Sequence, residues 1–175
     1  MQSTYDDRKI IAHFVGLSGI GGVQSNFVAY MKNIKLHPSK YQHKVYTVGN
    51  IDLQYQFSNN ILNIKKISNL YKLILDLISR DVIVHFYNNL SSFKVALLLA
   101  FLPVHQLIIH ERGTIWNQKY NRRIISSFVA WKASVILSNS VATKIMLVNK
   151  LSISEKKIRV LHNGIDTSIN YNYHS

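Results

Sequence analysis

The chain predicts an α/β fold, a Rossmann-like parallel β-sheet of about seven strands with helices on both faces. Two observations carry this. Short apolar runs alternate along the whole chain with longer stretches whose apolar residues recur at helical spacing. The runs themselves are continuously apolar instead of alternating, as strands covered on both faces are. Strand–helix alternation implies right-handed crossovers and a sheet with helices on both sides.

The elements follow in order. Lys9 to Val15 is an apolar run that flows into glycines, a central strand. Val23, Phe27, Tyr30, Met31 and Ile34 mark a helix over 23–36. His43 to Val48 is a second strand, ended by Gly49-Asn50, and Ile61 to Ile64 a short third. Ser68 to Ser79 is a helix with Ser68 as its cap; Leu70, Leu73, Ile74, Leu77 and Ile78 form its stripe. Asp81 to Phe86 is a strand, and Ser91 to Leu102 a buried helix stopped by Pro103. Gln106 to His110 is a strand, Gln118 to Trp131 a helix and Ser134 to Leu137 a strand. Ser140 caps a helix running to Lys150, and Lys157 to Leu161 is the last strand. The apolar run Val95 to Val104 is about half the roughly 20 residues a membrane span needs.

The 175 residues suffice for one domain with an ordinary core. Cysteine is absent, which excludes disulfides and thiolate metal sites and suggests a reducing compartment. The start, Met1-Gln2-Ser3-Thr4-Tyr5-Asp6-Asp7, lacks the order of a signal peptide. The 21 Lys and Arg outnumber the 8 Asp and Glu, a formal charge of +13. Lys65, Lys66, Lys72 and Arg80 accompany one helical region; Lys119, Arg122, Arg123 and Lys132 accompany another. Such a field suits a solvated basic surface or an anionic membrane. No nucleic-acid reader motif accompanies it, so no nucleic-acid partner is expected.

In a parallel sheet ligands sit beyond the carboxyl ends of the strands. There the sequence places Gly16 to Gly22, Tyr87-Asn88-Asn89, His110-Glu111-Arg112-Gly113, Ser138-Asn139-Ser140 and His162-Asn163-Gly164. Glycines before a helix admit a phosphate to its free N–H groups, and they equally make a plain tight turn. His110 is a candidate catalyst or a satisfied core histidine. Arg112 is a candidate carboxylate or phosphate clamp or one half of a structural ion pair. Trp116 and Tyr120 could offer an aromatic platform or pack in the core. The histidines show no zinc-site spacing, Gly-x-Ser-x-Gly and Asp-x-Asp are missing, and Glu111 and Glu155 are the only glutamates.

These segments together resemble the family-4 retaining glycosyltransferases of the GT-B fold, over about 9–169. Gly21-Gly22-Val23-Gln24-Ser25 is similar to the family's Gly-Gly-Val/Ile-Glu/Gln turn. Asp81 to His85 resembles its Asp-Val-Val-His strand, and Leu107 to Gly113 the strand ending in a catalytic-edge histidine. Ala133 to Ser140 resembles its Ala-Asp-x-Ile-Ile-x-Val-Ser strand, and Val160 to Asp166 its Ile-Pro-Asn-Gly-Val-Asp segment.

The resemblance implies an enzyme that moves a sugar from a nucleotide-sugar donor to a glycan or lipid-linked acceptor with retention. It implies no metal and no cofactor, the nucleotide-sugar being a co-substrate. His110 would be catalytic, Gly21, Gly22, Asn163 and Gly164 donor-binding, and Asn88, Glu111 and Arg112 acceptor-binding. Residues 1–168 would be the N-terminal acceptor-binding domain and 169–175 the start of a linker or tail. A C-terminal donor-binding domain, with its two glutamates seven residues apart, would be absent from these residues, since Glu111 and Glu155 cannot supply that pair. The chain is therefore expected to be inactive by itself and to need that domain or a partner chain. A stand-alone binding or membrane-docking subunit of a split glycosyltransferase is the alternative. Polysaccharide biosynthesis and a cytoplasmic place, peripheral at the inner membrane face, follow from family habit. The family's strand histidine falls at Val84 here. His85, one residue further on, is expected on the opposite face and is not counted in the site.

Overall fold

The computed structural model describes residues 9–19, 21–37, 39–52, 55, 61–88, 93–112 and 119–162, with the side chains of 88, 93 and 94 left out. The elements run β1 (Ile10–Phe14), α1 (Gly22–Leu36), β2 (Gln42–Thr47), β3 (Ile61–Asn63), α2 (Ile67–Ile78), β4 (Val82–Asn88), α3 (Phe93–Phe101), β5 (Gln106–Glu111), α4 (Tyr120–Lys132), β6 (Val135–Ser138), α5 (Val141–Leu151) and β7 (Ile158–Val160). The seven strands form one sheet in the order β3-β2-β1-β4-β5-β6-β7, and every pairing is parallel. The expected fold class and strand count hold.

Register sorts the side chains onto two faces. Ala12, Phe14, Tyr46, Val84, Phe86, Leu107, Ile109 and Ile136 share one core with residues of α2, α3, α4 and α5. Val45 and Tyr87 lie on the other side, where Phe27 and Met31 of α1 cover them. The chain order explains the imbalance. The connections through α2 to α5 all advance in one direction across the sheet, and right-handed crossover then puts their helices on one face. Among the helical connections only α1 runs the other way, from β1 back to β2, and the β2–β3 connection continues in that direction with no long helix among its described residues.

Helix ends show local chemistry. Ser140 caps α5 as expected, its Oγ accepting the Thr143 N–H at 3.1 Å. Ser68 does not cap α2: the helix starts at Ile67 with Lys66 at the cap position and no side-chain cap. The turn after β3 carries the chain straight from Ile64 and Lys65 into the helix and leaves Ser68 inside its first turn. At the end of α3, the Lys132 ammonium donates to the carbonyls of Leu99 (3.0 Å), Ala100 and Leu102. These are the groups a helix stopped before proline leaves open. Between β2 and α2, Lys44 Nζ lies 2.9 Å from Asp76 Oδ1, and Tyr46 donates its phenol proton to Asp76 Oδ2 at 2.5 Å.

Helix α2 is apolar on two sides. Leu73 and Leu77 are buried, whereas Ile67, Tyr71, Leu75 and Ile78 form an exposed outer stripe. Helix α4 repeats the pattern with Tyr120, Ile124, Phe128 and Trp131. No helix among the described residues is long and apolar enough to cross a membrane.

Candidate functional site

The carboxyl ends of β1 and β5 bring together residues about ninety positions apart in sequence. After β1 the chain turns at Gly19, whose φ of 76° is in the left-handed region that favours glycine. The turn is fastened from the β2–β3 connection. The Gly19 N–H donates to Asp52 Oδ2 at 2.7 Å, and the Tyr55 hydroxyl donates to the Gly19 carbonyl at 2.7 Å. A carboxylate already occupies the Gly19 amide, so an incoming anion must use the amides that follow.

Those belong to the first turn of α1. Gly21 is the N-cap, no side chain caps the turn, and it holds no acidic residue. Its backbone N–H groups and the positive end of the helix dipole are therefore uncovered by any acid of the helix itself. Arg112, just past β5, reaches this spot. A Cβ added to Gly22 would lie 3.2 Å from Arg112 Nη1. A side chain at position 22 would press on the guanidinium, which would have to shift by a few tenths of an ångström. Two cationic features of separate origin thus meet at one point.

His110 stands beside them, 7% exposed. Both its ring nitrogens lack a hydrogen-bond partner among the described residues. Its ring centroid is 5.1 Å from that of Tyr87 and 6.1 Å from that of His85. Burial, with the nearby Arg112 charge second, pushes its pKa down to about 4. At neutral pH it is an uncharged imidazole, able to donate one hydrogen bond and accept another. It is suited to bind a hydroxyl and not to supply a cation.

His85 lies on the face opposite Val84 as expected, but that face is the one that carries His110, so leaving it out of the site is what changes. Tyr87 pairs with His110 in register, and His85, two residues back, shares their face. Val84 turns instead into the aliphatic core. His85 belongs to a row of rings beneath α1. His43 and His13 are joined at 2.9 Å, His13 lies 5.3 Å from His85, and the row continues to His110. Burial lowers the pKa of His85 to about 3 and that of His13 well below its ordinary value, with neighbouring imidazoles adding to both. Among the described residues no group of three potential ligands could hold a metal ion.

The other predicted residues divide. Glu111 has no accessible surface and, by strand alternation, lies on the opposite side of β5 from His110. Its Oε1 accepts the Arg112 backbone N–H at 3.1 Å. Asn88 pairs with Glu111 across the β4–β5 register, and its side chain is outside the described set. Asn163 and Gly164, with Trp116, lie outside the described residues. Sequence reasoning passed over Asp52, Tyr55 and His85. Position after a strand could have flagged Asp52, and strand parity counted from His110 would have flagged His85.

A seven-stranded parallel sheet with helices on both faces defines a lobe of the Rossmann-like kind. More particularly, residues 35–169 match the model of Glycosyltransferase Family 4, and the chain belongs to that family. Among curated proteins none matches. Two solved structures share the fold. Alr3699/HepE of Anabaena, in complex with UDP-glucose, superposes with a TM-score of 0.66 at 14% identity over 90% of this chain. An alpha-glucosyltransferase in complex with UDP and a 13-mer DNA with a central A:G mismatch gives 0.55 at 12% identity, again over 90%. The chain spans 44% and 41% of the lengths of these two proteins.

Proposed function

We propose that this chain is the acceptor-side lobe of a glycosyltransferase that moves a sugar from a nucleotide-sugar donor to a glycan or lipid-linked acceptor with retention. The carrying observation is the meeting of Arg112 with the uncapped, glycine-opened start of α1, directly beside neutral His110. The N–H groups of the Gly21–Gly22 turn and the Arg112 guanidinium receive the donor diphosphate, as an N-terminal helix dipole favours. His110 hydrogen-bonds a hydroxyl of the reacting sugar and holds it in place. Arg112 and Asn88 border the acceptor, and Glu111 acts from below by holding the Arg112 backbone. Asn163 and Gly164 serve the hinge beside the donor. No metal takes part, since charge on the diphosphate is met by helix amides and arginine.

Transfer requires donor and acceptor held together, and one lobe supplies one wall. The chain alone is therefore inactive, and a second, donor-holding lobe or chain completes the enzyme. Its place is cytoplasmic.

Titration of the isolated chain with UDP, followed by backbone amide NMR, tests the site. Shifts confined to the Gly21–Gly22 turn and lost in Arg112→Ala are expected. Shifts elsewhere, or none, would remove the diphosphate from this edge. A labelled UDP-sugar should give no transferred product with this chain alone; product formation would refute the claim of inactivity.

A further inference from the structure

We propose that the outer surface of the α2–α5 helix layer docks on an anionic membrane, with α4 as the inserting element. This deepens the reading of a membrane-borne acceptor and rests on it only for its purpose, not for its observations.

Soluble helices bury one stripe and expose polar residues on the other side. Here the exposed sides of both α2 and α4 are themselves apolar. On α4, Tyr120, Ile124, Phe128 and Trp131 follow one another at spacings of four, four and three, opposite buried Ser126, Val129 and Ala130. Trp131 is 64% exposed, and its ring stacks near that of Phe128 at 6.4 Å. On α2, Ile67 is 85% exposed at the head of the matching stripe. Between the two, α3 adds Leu97 and Phe101. All these helices pack their buried sides on the same sheet face, so their outer stripes point one way. Of the large apolar side chains exposed on the described residues, only Tyr30, Leu36 and Leu161 lie off this layer. Contiguous exposed apolar surface of this kind marks an interaction face.

Charge selects the occupant. Asp76 is the sole acidic residue within α2 to α5, and it is buried against Lys44 and Tyr46. The exposed acids nearest the layer, Asp81 and Glu155, lie in the connections beyond α2 and α5, and Glu155 is paired with Lys144. Lys65, Lys66 and Lys72 flank one stripe. Lys119 and Arg123 stand at the start of the other, where Arg123 lies over the Tyr120 ring at 5.8 Å. An apolar face containing Trp and Tyr, rimmed by cations, matches an anionic headgroup surface with acyl chains beneath. Helix α4 starts at the same sheet edge as His110 and Arg112, so docking would bring the site edge next to the membrane.

The test uses the full chain with Trp116→Phe, which leaves Trp131 as the sole tryptophan of the two in the sequence. It is mixed with vesicles of phosphatidylglycerol and phosphatidylcholine, and with vesicles of phosphatidylcholine alone. Co-sedimentation with the anionic vesicles and a blue shift of Trp131 emission are expected. Ile124→Ser/Phe128→Ser/Trp131→Ser should lower vesicle partition by about tenfold or more, with unchanged far-UV circular dichroism. Trp131→Ser alone should give a smaller loss in the same direction. Leu36→Ser, on the α1 side, should leave partition as it was. Equal binding to both vesicle types, or full binding by the triple variant, would overturn the proposal. So would lipid-free self-association abolished by the triple variant, which would make this face an interface between copies. None of these outcomes bears on the UDP titration, which contains no lipid.

Discussion

The two faces of the sheet are built from different chemistry. The side covered by α2 to α5 is an aliphatic and aromatic core with two buried carboxylates, Asp76 and Glu111, each holding a hydrogen bond. The side under α1 holds a row of imidazole and phenol rings running from His43 to His110. The first face buries mostly side chains that need only contact, and its two carboxylates are satisfied by hydrogen bonds. The second buries groups that could be charged and keeps them neutral, which lowers stability and leaves hydrogen-bonding atoms at the ligand edge. Stability and chemistry are thus assigned to opposite sides of the same strands.

Substitutions can break that division. Phe86→Ala on the aliphatic side should cost about 4 kcal/mol, read as a lower denaturant midpoint. Asp76→Ala leaves Lys44 and Tyr46 without their buried acceptor and should cost about 3 kcal/mol in the same measurement. The histidine side should respond to pH instead. His85 and His110 stay neutral in the folded chain down to about 3 and about 4, whereas in the unfolded chain they take up protons near their ordinary value. Below that value the unfolded chain holds more protons, so stability is complete above about pH 6.5 and declines as pH falls toward 4. The decline is on the order of 2 kcal/mol per ring between pH 7 and 5. His110→Gln should remove this ring's share of the decline, leaving that of His85 and His13, while preserving the midpoint at pH 8; an unchanged slope would mean that this ring is charged when folded. The smallest effect is Ser140→Ala, about 1 kcal/mol from loss of the α5 cap, with no change in pH slope.

Most of the architecture was legible in the sequence because strand and helix periodicities differ sharply and crossover handedness does the rest. Every predicted strand exists with ends shifted by a residue or two. Side-chain placement near the site was less legible. Glu111 next to His110 suggested a shared pocket, yet neighbours in a strand point to opposite faces, and Glu111 is fully buried. The value of His85 depended on which parity counts as the site side, and that is set by pairing between β4 and β5, which composition does not encode. The approach of Arg112 to Gly22 joins two segments through tertiary structure alone. The outer stripe of α2 was hidden because its residues interleave with the buried ones, and Ile78, counted with the buried stripe, is exposed.

One fastening has a mechanical consequence. The glycine turn at the ligand edge takes its shape from Asp52 and Tyr55, which lie in the connection to β3, the outermost strand. With three residues and a single neighbour, β3 is among the first elements to fray. Loosening at that remote margin would slacken the tether on Gly19 and free its amide, so the rim of the sheet sets the tension on the mouth of the site.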